Sequence, residues 1–110
     1  MEKTIEEQYM IIRMWHGRVS NDDGNAYREF LKQRAIPDYQ SVAGNIDVKI
    51  LERQEEDATH FITMTTWENL EVIKAFAGEN PEKAKYYPED DDYLLEFEPT
   101  VVHYEVVGRS

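Results

Sequence analysis

Cysteine is absent from this 110-residue sequence. That removes disulfides, thiol nucleophiles and zinc–thiolate sites from the chemistry available to it. Basic residues are few, 12 Lys and Arg against 23 Asp and Glu, for a net charge of -11. A chain so acidic repels phosphate backbones and anionic lipid surfaces, so neither nucleic acid nor a membrane is an expected partner. No apolar run approaches the roughly 20 residues that span a bilayer. Residues 1–8 are charged, lack the apolar core of a signal peptide, and read as a flexible leader ahead of one domain over residues 9–110. A reducing, cytoplasmic setting is the expectation. Phosphate-binding glycine loops, HExxH pairs and GxSxG elbows are all missing.

What is present is a clear order of elements. Apolar and β-branched residues from Tyr9 to Val19 predict a first strand, apolar on both faces. Ser20 to Gly24 supplies oxygen-bearing side chains and carboxylates for a helix start. Tyr27, Phe30, Leu31 and Arg34 then recur at helical spacing. Ile36-Pro37 is expected to end that helix, with a loop from Tyr39 to Gly44. Ile46 to Arg53 alternates as a half-buried strand, and Thr59 to Trp67 is a third. Asn69 caps a helix over Leu70 to Ala77, stopped by Gly78. A short helical stretch is expected from Pro81 to Lys85, and a fourth strand from Thr100 to Val107. This is the βαββαβ order of a ferredoxin-like α+β sandwich. A 110-residue domain buries only about two-thirds of its unfolded surface, and one sheet face has no helix to cover it. A homodimer is therefore expected, packed through a sheet face carrying Ile11, Trp15 and Val101.

Expected strand order is four-one-three-two, with the first strand parallel to the third. On that reading His16, Trp67 and His103 meet at one end of the sheet and His60 lies at the other. His16 is the acid/base candidate, because imidazole changes charge near neutrality. Ile12, Met14 and His16 are assigned to the helix-covered face, and Arg13 and Trp15 to the partner subunit. The apolar set Val102, Tyr104 and Val106 places His103 toward the dimer side, although it remains a candidate binding residue. Trp67, Tyr27, Phe30, Phe76 and Tyr86 are candidates to line a site for a small aromatic molecule, since flat rings stack on flat rings. The bland alternative for each of these rings is core packing. Glu89-Asp90-Asp91-Asp92 lacks the spaced ligands and glycine of a calcium loop, so no metal site is expected.

Met14-Trp15-His16-Gly17-Arg18, Thr66 to Glu71, Ala75 to Gly78, Tyr86 to Asp90 and His103 to Val106 resemble the antibiotic biosynthesis monooxygenase family. The resemblance covers about Ile11 to Val107, and the Tyr-Tyr-Pro-Glu-Asp stretch resembles an uncharacterised bacterial branch. It implies a ferredoxin-like fold in a dimeric α/β barrel. It implies a cofactor-free reaction in which a phenolic substrate loses a proton and its anion reacts with dioxygen to give a quinone. Trp67 would then wall the cavity and His16 move the proton. Haem-degrading relatives use a first-strand asparagine and a second-helix histidine, and both are missing here. A non-catalytic, dimeric ligand-binding or stress-related protein, and an isomerase or lyase on the same scaffold, stand beside the oxygenase reading.

Overall fold

The computed structural model describes residues 9–110, so the proposed leader at residues 1–8 lies outside the described residues. The chain forms one four-stranded sheet, β1 (Ile11–Val19), β2 (Asn45–Gln54), β3 (Thr59–Trp67) and β4 (Val102–Glu105), in the order β2-β3-β1-β4. That is the strand order expected from sequence. The direction of β3 is not. β1 and β3 are antiparallel, pairing Ile11 with Trp67 and Val19 with Thr59. The reason lies in the connections. The helical crossover returns β2 in the same direction as β1, and the short Glu55–Ala58 turn reverses the chain into β3. A strand inserted between two parallel neighbours by a hairpin must oppose both.

The crossover holds one continuous helical path. A 3₁₀ turn (Asn21–Asp23) leads into α1 (Gly24–Phe30), a π-helical segment (Leu31–Ala35) and α2 (Ile36–Gln40). Pro37 was expected to break the helix and does not. The Ile36 N–H reaches back five residues to the Leu31 carbonyl, and this wider turn absorbs a residue that has no N–H to give. Helix α3 (Leu70–Ala77) has the bounds expected from sequence, with the Asn69 side chain accepting from the Val72 N–H and Gly78 at φ 93°. Gly44, at φ 96°, lies so close to α3 that a Cβ there would stand 2.6 Å from that of Val72. The stretch from Pro81 is a turn that bridges Lys83 to Thr100 rather than a helix, and Pro88–Asp92 forms a 3₁₀ turn.

Alternation along β1 is strict. Ile11, Arg13, Trp15 and Val19 are buried, while Ile12, Met14, His16 and Arg18 are half-buried. The helices therefore cover the odd-numbered face, the reverse of the sequence-based assignment. Gly17 shows why. The Trp15 indole lies across it, and a Cβ at Gly17 would stand 2.6 Å from the ring and 2.8 Å from a Leu94 methyl. Ile11, Trp15 and Val101, expected at a dimer interface, instead belong to the protein's own core with Tyr27, Leu31, Tyr39, Phe61, Trp67, Ile73 and Phe76.

Candidate functional site

Because β3 runs against β1, the C-terminal half of β1 lies beside the start of β3. His16 and His60 are therefore neighbours on the outer face of the sheet, not residues at opposite ends. His16 Nε2 and His60 Nδ1 are 2.9 Å apart, with the rings stacked at 26°. His16 Nδ1 hydrogen-bonds the Glu98 carboxylate, and His60 Nε2 lies 2.7 Å from Glu55 Oε1. Four side chains thus form one line, Glu98, His16, His60, Glu55. Imidazole nitrogens can serve as donor or acceptor, so the stacked pair offers a route for a proton between the two carboxylates. Arg53 also bonds Glu55 at 2.7 Å, and this bond is the main reason that the Glu55 carboxyl is held below the ordinary carboxylate range.

The line borders a depression of about 270 Å³ walled by His16, His60, Leu51, Ile62, Glu52 and Arg53. Ordinary small-molecule sites run roughly 300–1,000 Å³, so this one suits a small ligand. The two imidazoles are partly exposed, at 33% and 25% of their side-chain surface. Arg18, next on the same face of β1, is held by Glu96 in two hydrogen bonds of 2.7 and 3.2 Å. Tyr86 reaches this site indirectly, its hydroxyl donating to the Glu98 main-chain carbonyl. Its ring packs edge-on to Trp15 and Phe97.

The other candidates lie on the inner face, away from His16. Trp67 is fully buried, and its Nε1 donates to Thr65 Oγ1 at 2.8 Å. Phe76 stacks on Tyr39 at 4.5 Å, and Tyr39 meets Thr63 Oγ1 at 3.1 Å. Tyr27 packs against Phe30, Phe61 and Tyr93 and donates to Asp90 at 2.7 Å. Burial pushes the Tyr27 hydroxyl well above its ordinary value, with the Asp90 carboxylate adding to the effect. The space left among Trp15, Tyr27, Leu31, Tyr39 and Tyr87 is about 10 Å³, a volume on the scale of one water molecule. The expected aromatic-walled room is thus filled by the rings meant to line it. His103 is also corrected. It pairs with Arg13 across β1 and β4 and shares the inner face, while Val102 and Tyr104 are the exposed pair. The outer face, not the inner one, therefore carries His16. Sequence reasoning passed over Glu98, Glu55 and the role of His60, because each is joined to the site only by strand pairing and a distant loop.

Among the described residues no group of three or more His, Asp or Glu is placed to hold a metal ion, and no helix is long and apolar enough to cross a membrane.

No family model matches the sequence, and no curated protein matches it. Solved structures do match in shape. A Bacillus cereus protein provisionally named an antibiotic biosynthesis monooxygenase aligns over 93% of this chain and 97% of its own, with TM-score 0.62 and 20% identity. A similarly named protein of Nitrosomonas europaea aligns over 91% and 92%, with TM-score 0.65 and 18% identity. A heme-degrading protein of Mycobacterium tuberculosis, in heme-free form, aligns over 93% and 96%, with TM-score 0.61 and 16% identity. The chain therefore has the ferredoxin-like α+β fold of these proteins across nearly its whole length.

Proposed function

We propose that this protein is a homodimeric, cofactor-independent monooxygenase that oxidises a small phenolic or quinol-like substrate with dioxygen. The observation that carries the reading is the Glu98–His16–His60–Glu55 line beside an open depression of about 270 Å³. The names of the structural neighbours support it. Leu51 and Ile62 offer apolar walls to a ring, and the imidazole line receives the hydroxyl proton. An ionised phenol is electron-rich enough to reduce dioxygen directly. One oxygen atom bonds to the ring carbon, the other leaves with two hydrogens as water, and a phenol becomes a quinone with atoms and electrons balanced. The protein needs only to bind, orient and accept a proton. The partner subunit would close the depression by packing against the same outer face, where Ile12, Met14, Ile62 and Met64 cross the middle of the sheet.

Oxygen uptake and incorporation of labelled dioxygen, with a panel of hydroquinones and anthrones, test the reading. His16→Gln is expected to slow turnover by about 10²–10⁴-fold, the ordinary range for a lost acid/base group. Equal rates in wild type and variant would remove His16 from the mechanism. The line moves protons and has no part specific to oxygen, so an isomerase or lyase is the second reading. Product formed under strict anaerobiosis would favour it. A ligand that binds and is never turned over would point instead to a binding protein.

A further inference from the structure

Both nitrogens of His16 are already taken. Nδ1 meets the Glu98 carboxylate and Nε2 meets His60 Nδ1. An imidazole takes or gives a proton through a ring nitrogen, so His16 must shed one partner before it can serve anything else. The two partners are not equally free to leave. His60 sits on β3, which pairs with β1 along its whole length, from Ile11 with Trp67 to Val19 with Thr59. Glu98 sits where the other edge of β1 has lost its regular partner. Pairing with β4 stops at Met14 with Val102, and contact resumes at Val19 with Leu94. Residues 95–101 thus face residues 15–18, more chain than that span of strand needs, and the excess forms a loop at the sheet edge. The two ends of the loop are fixed. Leu94 and Val101 are buried, the Leu95 N–H donates to the Arg18 carbonyl at 2.9 Å, and the Pro99 carbonyl accepts from the Ala84 N–H at 3.0 Å. Its middle is held differently. Among the described residues Glu96, Phe97 and Glu98 make no hydrogen bond from main chain to main chain, and Leu95 and Phe97 stand 51% and 45% exposed. Side chains do the holding. Arg18 donates to Glu96 at 2.7 and 3.2 Å, Glu98 meets His16, the Tyr86 hydroxyl donates to the Glu98 carbonyl, and the Phe97 ring meets Tyr86 edge-on at 4.8 Å.

We propose that residues 96–98 are a flap on His16, hinged beside the buried Leu94 and Val101 and latched by Glu96 on Arg18 and by Glu98 on His16. Closed, the flap occupies His16 Nδ1. Open, it leaves that nitrogen free while His60 keeps hold of Nε2. The flap moves without the sheet, because a segment with few buried apolar contacts and no ladder of main-chain bonds opens at a lower free energy than the strands beside it. Its latches are of the kind that lets go. The four side chains of the two ion pairs are between 32% and 38% exposed, and exposed pairs contribute little and are screened by salt. The gating role rests on the reading of His16 as the proton acceptor. The motion of the flap does not, and it can be followed with no substrate present.

Diethyl pyrocarbonate, which acylates a free imidazole nitrogen, is the probe, with the modified histidine identified by mass spectrometry. Glu96→Gln removes one latch charge and leaves the His16 ring and its neighbours alone. It is expected to speed modification of His16 by about two- to fivefold, the factor that loss of one exposed ion pair supplies, with His103 modified at the wild-type rate and the melting temperature little changed. Raising salt to about 1 M, where screening acts within about 3 Å, is expected to speed His16 modification of the wild type in the same direction, and decides the matter should Glu96→Gln not fold. Nitrogen-15 relaxation is expected to show slow exchange at the amides of residues 96–98 and none along β1 and β3. Equal His16 modification in wild type, folded variant and high salt would overturn the proposal. So would His16 modification that rises only as the whole protein melts. Neither result bears on oxygen uptake, so the oxygenase reading stands or falls by its own test.

Discussion

At the scale of single residues, Asp90 shows how burial and hydrogen bonding oppose each other. It is 2% exposed, accepts from the Tyr27 hydroxyl at 2.7 Å and from the Tyr87 N–H at 2.7 Å, and ties the 3₁₀ turn to α1. Burial raises its carboxyl above the ordinary range, and the two hydrogen bonds work against that shift. The folded protein therefore holds this proton more tightly than the unfolded chain does. The resulting stabilisation is full below the unfolded carboxyl value of about 3.9 and is lost as pH rises through the higher folded value. Urea unfolding of wild type and Asp90→Asn across the acid range isolates this contribution. The stability of wild type relative to the variant is expected to fall with rising pH over that window. Asp90→Ala leaves the Tyr27 hydroxyl and the Tyr87 N–H without their acceptor, and should cost about 1–3 kcal/mol for each group left unsatisfied. The His16–Glu98 contact could not be read from residue types alone. The two are 82 positions apart in the sequence, and Tyr86, named as a binding residue, contributes instead by bonding the Glu98 carbonyl.

At the scale of elements, local chemistry was legible in α3 but not at the start of the crossover helix, where neither Ser20 nor Asp23 makes the expected side-chain cap. Asn69 at the N-cap and Gly78 after the last turn bound α3 on the residues that the sequence indicates, because a cap depends on atoms three or four positions away. Asn69→Ala is expected to cost about 1 kcal/mol of stability by thermal or urea unfolding. The helical crossover was less legible. Proline chemistry argued for a stop at Ile36-Pro37, but the π-helical turn before it and the packing of Leu31, Ala35 and Tyr39 into the core carry the helix on to Gln40. In β1 the informative residue is Gly17. Its missing side chain is the space that the Trp15 ring occupies, two positions back on the same face. Gly17→Ala forces the indole and the Leu94 side chain to move, and is expected to lower stability by about 1–3 kcal/mol.

At the scale of the whole molecule, one face of the sheet has helices and the other has none. Exposed apolar residues gather on and beside the outer face, with Leu51 at 38%, Val102 at 51% and Tyr104 at 56% exposure. The dimer proposed above would bury that face rather than the one carrying Ile11 and Trp15. Met64→Glu, in register with Met14 at the centre of the face, places a charge where two sheets would meet. Sedimentation is expected to show a stable dimer for wild type and a shift toward monomer for this variant. A monomeric wild type at micromolar concentration would contradict the dimer.

The sequence by itself determined the order of the strands and main helices and the caps of α3. These follow from periodicity and from atoms close along the chain, whereas the strand order rested on the βαββαβ topology. Periodicity of two also told which residues of β1 share a face. It could not tell which face the helices cover, because both faces of β1 are apolar and the buried one carries an arginine. Strand direction was decided by the two connections acting together, a parallel crossover and a reversing hairpin. That direction brought His60 to His16 and took Trp67 away from it. Only the tertiary structure could place these residues, since contacts between distant strands depend on how the chain is routed and not on any short stretch of it.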